Sequence, residues 1–262
     1  PLSMFMSLRG GLGELIQVLV RHLQSRDVQL RSGVKVREIA ASSRPPASYQ
    51  IILEDGQTLR ADAVVVTTPT YNSSTLLKQM SPELATALND IPYASTATVS
   101  LAYKTEKVSS LIQGFGFVVP RRENRALLAA TWSSQKWADR SKPEDTLIRA
   151  YVGGRGREAI VEKEDREIVS IVQRELTAMV GVAAVPHYVE IHRWTRGMPQ
   201  YVLGHQKRLS TIEQLVKHWP GLYLAGAAFR GIGIPDCIRD GMRAGQETIQ
   251  KLVGSGKVKV GS

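Results

Sequence analysis

A glycine-rich turn near the C-terminus carries the residues with the clearest chemical potential. A short apolar strand, Leu222 to Leu224, leads into a turn with Gly226, Gly231 and Gly233, and a helix is predicted to begin at Pro235. Proline suits the first helical turn, because the N–H groups there have no intrahelical acceptor. Glycines let backbone approach a ligand closely, and the start of a helix favours negative charge. The segment therefore predicts a site that holds a phosphate group or an electron-rich ring.

Further segments of the sequence accompany this turn. They are Ser7-Leu8-Arg9-Gly10-Gly11-Leu12, Val36 to Ile39 followed by Ala63 to Pro69, and Arg193 to His205, which contains Pro199-Gln200-Tyr201-Val202-Leu203-Gly204-His205. Together with the glycine turn they resemble, in order and in approximate spacing, the flavin-dependent porphyrinogen oxidases of the flavin amine oxidase superfamily. The resemblance extends from about Met4 to Leu252, which is nearly the whole chain.

The resemblance implies an FAD cofactor, and no side chain can accept a hydride in its place. It implies that Val36 meets the adenine, that Gly226 lies against the phosphate–ribityl chain, and that the turn passes the pyrimidine edge of the isoalloxazine. The turn residues are Gly231, Ile232, Gly233 and Ile234. A helix start there would stabilise the negative charge of a reduced flavin. The alternatives are an ordinary strand-to-helix turn and, for Val36, an ordinary core residue.

Trp194, Pro199 and Tyr201 are the candidates for the substrate pocket, because aromatic rings can pack on a flat tetrapyrrole and exclude water. A core position is the alternative for Trp194, and His205 suits either a polar pocket wall or a structural role. Catalytic residues are not predicted, because the sequence shows no nucleophilic triad. No metal is predicted either, since none of the five histidines forms an i, i+4 pair around a glutamate.

The resemblance implies a function in haem biosynthesis: oxidation of protoporphyrinogen IX or coproporphyrinogen III to the porphyrin, with molecular oxygen as acceptor. The family removes six electrons from the macrocycle and releases peroxide. The net charge of +10 mildly favours the more carboxylated substrate. Two alternatives are another flavin amine oxidase or desaturase relative, and a non-catalytic tetrapyrrole-binding fragment. Flavin absorption or a Soret-type band without flavin would separate them.

The family begins with a strand, a Gly-x-Gly-x-x-Gly turn and a helix, and this sequence has no such unit. Gly10-Gly11-Leu12-Gly13 precedes a predicted helix but follows no strand, and Gly153-Gly154-Arg155-Gly156 lacks the spacing. We therefore expect the C-terminal half of a porphyrinogen oxidase, truncated upstream of Pro1. We also expect this fragment alone to be inactive and without FAD, with the catalytic residues in the other half.

Composition is that of a folded protein, with 43% hydrophobic and 22% charged residues. The single cysteine, Cys237, excludes an internal disulfide and favours a reducing compartment. We expect a cytoplasmic protein, with peripheral membrane contact through the missing half as an alternative. The positive residues are scattered and no nucleic-acid-binding motif accompanies them, so no nucleic-acid partner is predicted. The sequence does not predict an oligomeric state.

The pattern of elements predicts an α/β plus α+β protein. Residues 1–75 and 210–262 are predicted to form a partial, Rossmann-like FAD-binding domain without its N-terminal βαβ unit. Residues 76–209 are predicted to form an inserted antiparallel-sheet substrate domain. The predicted strands are 34–39, 49–53, 58–61, 63–67, 96–103, 114–119, 127–132, 147–152, 189–194 and 222–224, and the predicted helices follow residues 11, 81, 164 and 234. Asp55-Gly56 predicts a type I′ hairpin.

Overall fold

The structure is a computed structural model, and it describes residues 7–41, 48–137 and 139–256. Its strands are β1 (Val36–Ala41), β2 (Tyr49–Leu53), β3 (Thr58–Ala61), β4 (Val64–Val66), β5 (Tyr93–Lys104), β6 (Gly116–Val118), β7 (Leu127–Trp132), β8 (Asp145–Gly153), β9 (Tyr188–Pro199) and β10 (Leu222–Leu224). Its helices are α1 (Gly13–Gln24), α2 (Thr70–Leu77), α3 (Pro82–Asn89), α4 (Thr105–Val108), α5 (Ser133–Lys136), α6 (Asp165–Val180), α7 (His205–Val216) and α8 (Ile234–Gly254), with 3-10 turns at Arg121–Glu123 and Glu158–Glu162. None of the helices in these residues combines the length and the apolar character that crossing a bilayer requires.

Local sequence signals explain where several elements begin and end. The Ser81 hydroxyl accepts a hydrogen bond from the N–H of Leu84 at 3.4 Å, with Pro82 in the first turn of α3. Gly181 ends α6 with a φ of 77°, as predicted. The hairpin prediction was wrong in its turn type. Asp55 is not among the described residues with positive φ, whereas Gly56 has a φ of 86°, and a type I′ turn needs positive φ at both positions.

The chain forms two compact units. The first contains Pro1–Leu30 and Ala94–Met198. Its five-stranded sheet has the order β6-β7-β8-β5-β9. The pairs β6–β7, β7–β8 and β8–β5 are antiparallel. The apolar stripe of α6, formed by Ile168, Val172 and Leu176, is fully buried in the same cluster as the sheet residues Val99 and Leu101. Alternating strand residues and a helical stripe therefore build one core.

The second unit contains Arg31–Tyr93 and Pro199–Ser262. It holds an antiparallel sheet of order β1-β2-β3 and a parallel pair of β4 and β10, with Val64 opposite Leu222 and Val66 opposite Leu224. Helices α2, α3 and α7 contribute to its core, which includes Val66, Leu77 and Leu224. The short strands β4 and β10 are thus held by packing on helices rather than by sheet width.

The bounds of these units differ from the predicted domain bounds. The chain passes between units after Leu30, Tyr93 and Met198, whereas the sequence pattern predicts the changes after residues 75 and 209. The change of pattern near Thr75 marks a change from strands to helices within one core, because Leu77, Leu84 and Leu88 pack in the cluster of the second unit. The predicted strands 63–67 and 96–103 do lie in separate sheets.

Residues 7–30 belong to the unit of the five-stranded sheet. The Arg140 guanidinium donates to the Leu8 carbonyl at 3.0 Å and to the Ser7 hydroxyl at 2.9 Å, which ties this segment to the first unit. Helix α1 is amphipathic as predicted, but none of its residues is buried. Its apolar side chains, Leu15, Ile16 and Leu19 among them, are exposed.

We expect Leu176→Ala to destabilise the first unit by about 2–5 kcal/mol, because it removes a fully buried leucine from the α6 core. Leu111→Ala is the matched control, since Leu111 lies in the same unit and is 41% exposed. Denaturant unfolding followed by circular dichroism measures both. Equal losses in the two variants would show that the α6 stripe is not the core of this unit.

Candidate functional site

The candidate site is the turn between β10 and α8. β10 lies parallel to β4, and the ladder continues past both strand ends through Val64 N–H to Gly221 O at 2.8 Å and Ala225 N–H to Val66 O at 3.2 Å. The chain then passes through residues 226–233 and enters α8 at Ile234, one residue before the predicted start. The strand therefore aims the turn, and the helix begins directly behind it.

Two glycines of the turn have backbone conformations that other residues rarely adopt. Gly226 has a φ of 131° and Gly231 a φ of 129°. A Cβ at Gly231 would lie 2.5 Å from the Cγ of Asp236, so the position is also too close to a side chain. A Cβ at Gly226 would meet only the Thr67 carbonyl oxygen, at 3.6 Å. Gly233 differs from both, because its φ of −71° is open to any residue.

The buried carboxylate of Asp240 anchors the first end of the turn. Asp240 lies in α8 and is 3% exposed. Its Oδ2 accepts the Gly226 N–H at 2.9 Å, and its Oδ1 accepts Nη1 of Arg230 and Nε of Arg243, each at 3.0 Å. A buried carboxylate needs such partners, since an unpaired one would be strongly destabilising. Because Arg230 belongs to the turn itself, the same charge fixes the turn twice.

The two arginines extend this network to neighbouring elements. Arg230 Nη2 donates to Glu213 Oε1 of α7 at 2.6 Å. Arg243 Nη1 donates to Glu247 Oε2 at 2.8 Å, and its Nη2 donates to the Leu224 carbonyl of β10 at 3.0 Å. Strand β10, the turn, α7 and α8 are therefore joined through charge-assisted hydrogen bonds.

Tyr201 anchors the second end of the turn. Its hydroxyl donates to the Ala227 carbonyl at 2.7 Å and accepts the Gly231 N–H at 2.9 Å. Its ring stacks on the imidazole of His205, with centroids 4.0 Å apart and an interplanar angle of 14°. The Pro-Gln-Tyr segment and the glycine turn, far apart in the sequence, thus meet at hydrogen-bonding distance.

Burial sets the protonation of both stacked rings. It lowers the pKa of His205, and the nearby positive charge of Arg208 lowers that pKa further. His205 is therefore neutral at pH 7. Burial also raises the pKa of Tyr201, although the hydrogen bond from Gly231 acts in the opposite direction. Tyr201 therefore keeps the proton that it donates to Ala227.

The start of α8 presents apolar side chains and backbone amides to the surroundings. Ile232 is 56% exposed and Ile234 is 49% exposed. The Asp236 carboxylate accepts the Gly233 N–H at 3.3 Å. Among the described residues, no hydrogen bond occupies the N–H groups of Ile232 and Ile234. This edge combines an apolar surface with available donors and the positive end of a helix.

The structure brings most of the predicted site residues into one unit. Val36, Pro199 and Tyr201 belong to the same unit as the glycine turn. Val36 opens β1 and is exposed rather than part of the core, whereas Pro199 is buried. Trp194 belongs to the other unit and is 56% exposed, so it is not a core residue there.

Sequence reasoning missed Asp240, Arg230 and Arg243. Helix α8 has an apolar stripe, but the stripe residues Ile238, Met242 and Ile249 are exposed. The buried residues of the helix are instead Asp240 and Ala244. The available signal was charge spacing: Asp240, Arg243 and Glu247 follow one another at intervals of three and four, which places them on one helix face.

The chemistry open to this arrangement is binding, orientation and stabilisation of negative charge. In residues 7–41, 48–137 and 139–256, no cluster of three or more His, Cys, Asp and Glu side chains is arranged to hold a metal ion. A parallel strand pair that leads through a glycine turn into a helix start is typical of α/β proteins that bind an anionic cofactor. The strand, turn and helix start therefore have the geometry of that class of site.

Comparison with known proteins assigns the chain to a family within that class. The model of the flavin containing amine oxidoreductases matches residues 2–249, and the chain belongs to this family. A coproporphyrinogen III oxidase of Bacillus subtilis is 34% identical over 249 residues, which cover 95% of this chain and 52% of that protein. A protoporphyrinogen oxidase of Homo sapiens is 31% identical and covers 91% of this chain and 50% of that protein.

Solved structures also include a relative that is named as a porphyrinogen oxidase. The crystal structure of a provisionally assigned protoporphyrinogen oxidase from Exiguobacterium superposes with a TM-score of 0.79 at 32% identity, covering 97% of this chain and 53% of that one. A putrescine oxidase variant superposes with a TM-score of 0.70 at 14% identity, which shows the fold alone. The resemblance drawn from the motifs is confirmed. The chain spans about half the length of the curated relatives it matches.

We expect Asp240→Asn to lower the free energy of unfolding of the second unit by about 1.5–3 kcal/mol, because charge-assisted hydrogen bonds to Arg230 and Arg243 are lost. Glu247→Gln is the control, since that carboxylate is 45% exposed and its pair with Arg243 is worth about 1 kcal/mol or less. Denaturant unfolding of both variants measures the difference. A loss for Asp240→Asn no larger than for Glu247→Gln would contradict the anchoring role.

Proposed function

We propose that this chain forms part of an FAD-dependent oxidase that converts a porphyrinogen to the porphyrin. The unit of Arg31–Tyr93 and Pro199–Ser262 supplies part of the FAD-binding α/β domain. The unit with the five-stranded sheet supplies the substrate domain. One observation carries the proposal: the glycine turn is anchored at both ends, by Asp240 and Tyr201, while Ile232 and Ile234 at its outer edge stay exposed.

The residues present fit a flavin. The open space beside Gly226 gives a cradle that a side chain would fill, and its N–H is already used by Asp240. Contact there would therefore be through van der Waals approach of the backbone to the cofactor. Ile232 and Ile234 supply apolar surface for a flat ring, and their free N–H groups can donate to its polar edge. Val36, exposed at the start of β1, can pack on an adenine.

The roles of the chain's own residues follow from these contacts. Gly226 lets the backbone approach the cofactor with no side chain between them, and Gly231 and Gly233 leave room for Asp236 beside the turn. The start of α8 stabilises negative charge at the pyrimidine edge. Asp240 and Tyr201 hold the turn in place. FAD, when bound, supplies the electron acceptor that no side chain provides. We assign no proton-transfer residue in this chain.

The substrate class follows from the relatives and from charge. The relatives include proteins named coproporphyrinogen III oxidase and others named protoporphyrinogen oxidase. Conversion of either porphyrinogen to a porphyrin removes six electrons and six protons, and molecular oxygen as acceptor would be reduced to peroxide. The net charge of +10 favours the substrate with more carboxylates, coproporphyrinogen III.

The exposed face of α8 indicates where the rest of the FAD-binding domain would pack. Ile238, Met242 and Ile249 form an apolar stripe, and a Cβ at Gly241 or Gly245 would meet nothing within 4 Å. A second element can therefore approach this face closely. We propose that it is covered by the part of the fold that the longer relatives contain. We also propose that FAD is retained only with a Gly-x-Gly-x-x-Gly unit, which this sequence lacks.

The gene product at its full encoded length, supplied with FAD, is expected to oxidise coproporphyrinogen III faster than protoporphyrinogen IX, because the net positive charge of this chain attracts the tetracarboxylate. Porphyrin fluorescence and peroxide release measure the reaction, with three peroxide molecules expected per porphyrin. Binding of a tetrapyrrole without turnover, or turnover without FAD, would overturn the proposal. Equal rates would overturn the substrate preference alone.

In the same protein, Gly233→Val is expected to abolish flavin binding and oxidation while the fold survives. A φ of −71° accepts valine, so the backbone is not strained. The nearest atom to the new Cβ is Oδ2 of Asp236 at 3.0 Å, on a side chain that can move. That carboxylate also accepts the Gly233 N–H at 3.3 Å, so loss of flavin would report a local change in the turn rather than the bulk of valine alone.

The readouts for this variant are the flavin-to-protein absorbance ratio and the melting temperature. Leu176→Ala is the control, because a truncation in the other unit should lower the melting temperature and leave flavin bound. Normal flavin occupancy and turnover in Gly233→Val would show that the turn is not at the cofactor.

A further inference from the structure

We propose that Tyr201 is a positioning residue for the cofactor-binding turn and makes no essential contact with the substrate. This inference rests on the proposed function, since it concerns how the turn is held against FAD. It replaces the prediction from sequence that Tyr201 belongs to the substrate pocket. The observation behind it is that both hydrogen-bonding capacities of the hydroxyl are used on the turn itself.

The direction of the two hydrogen bonds is fixed by their partners. The Gly231 N–H can only donate and the Ala227 carbonyl can only accept, so the phenol proton points towards Ala227. A hydroxyl that already donates once and accepts a backbone amide has little capacity left for a carboxylate of a substrate. Tyr201 therefore works as a crosslink between two points of the turn, four residues apart.

The position of this crosslink matters for the cofactor. Gly231 directly precedes Ile232, and both its positive φ and its contact with Asp236 leave the backbone little freedom there. The Tyr201 hydroxyl accepts the Gly231 N–H and so fixes the orientation of this amide. Without this hydrogen bond, Arg230 would remain held by Asp240. The segment from Gly231 into α8 would lose a contact, because among the described residues no other hydrogen bond joins it to a residue outside the turn and α8.

The ring of Tyr201 is itself held by a second residue of the same motif. His205 is 5% exposed, and neither of its ring nitrogens, Nδ1 and Nε2, has a hydrogen-bond partner among the described residues. It therefore acts through its flat face, on which the phenol stacks at 4.0 Å. His205 is the first residue of α7, directly after Gly204. This position, four residues after Tyr201, brings the imidazole against the face of the phenol ring. The Pro-Gln-Tyr-Val-Leu-Gly-His segment thus serves the glycine turn.

The test compares Tyr201→Phe with Tyr223→Phe in the gene product at its full encoded length. Tyr201→Phe keeps the ring and removes the crosslink. Tyr223 is the matched control, because it lies in the same unit and its hydroxyl donates to the Glu247 carbonyl at 3.1 Å, away from the turn. The readouts are amide exchange of the peptide containing Gly231, the Kd for FAD, the flavin absorption bands, and KM for the porphyrinogen.

For Tyr201→Phe we expect faster exchange at Gly231, a Kd for FAD raised at least about tenfold, because both hydrogen bonds of the hydroxyl to the turn are lost, and shifted flavin bands. Tyr223→Phe should leave exchange at Gly231, the Kd and the bands unchanged. A Tyr201→Phe protein with unchanged exchange and Kd overturns the inference. So does a change confined to KM for the porphyrinogen, which would mark substrate contact. If the protein without any substitution binds no FAD, the proposed function is wrong, and so is the cofactor role of Tyr201. Exchange at Gly231 then decides separately whether the crosslink exists.

Discussion

A buried carboxylate controls the geometry of the candidate site. Asp240 faces the interior of its unit from α8, and three groups converge on it: one backbone amide and two guanidinium groups. Taking a charge out of water is unfavourable unless such partners compensate it. The requirement works in both directions. It fixes the turn to α8 through Gly226 and Arg230, and it fixes α8 to β10 through Arg243 and the Leu224 carbonyl.

Tyr201 complements this anchor with neutral hydrogen bonds. Asp240 holds the start of the turn, and Tyr201 holds its end. Between these contacts, Ala228 and Phe229 are buried in the core of the second unit. Ile232 and Ile234 follow the Tyr201 contact at Gly231, and their side chains are exposed. A binding edge that is rigid and exposed costs little reorganisation when a ligand arrives. A charged network thus lies behind the exposed side chains of Ile232 and Ile234.

Elements with local signals could be predicted from the sequence, and those without could not. Helix α6 was predicted within its observed bounds, because its stripe and its terminal glycine agree. Helices α2 and α7 were missed: α2 contains Thr70, Asn72 and Ser73 and has no apolar period, and tertiary packing decides its state. The unit bounds were misplaced because composition shifts follow secondary structure, whereas compact units follow shared cores.

For the site, the sequence was sufficient for the turn but not for what holds it. Gly231 could be recognised as a glycine that its position requires, since the motif around it is distinctive. The charge spacing of Asp240 and Arg243 indicates only a shared helix face, because the role of Asp240 at the turn depends on Arg230 ten residues earlier and on a backbone amide. Gly233 differs from Gly231, because the structure gives it a φ of −71°, which other residues also adopt.

Helix α8 inverts the usual distribution of side chains. Its polar Asp240 is buried, and its apolar Ile238, Met242 and Ile249 are exposed. Within this chain, the helix is therefore held by charge-assisted hydrogen bonds rather than by its hydrophobic stripe. Covering that stripe would add roughly 25 cal/mol for each Å² of apolar surface removed from water. The two contributions are independent, because they act on opposite faces of the helix. Asp240 can thus hold α8 to the turn without the apolar stripe, and the apolar face remains available to a further part of the fold.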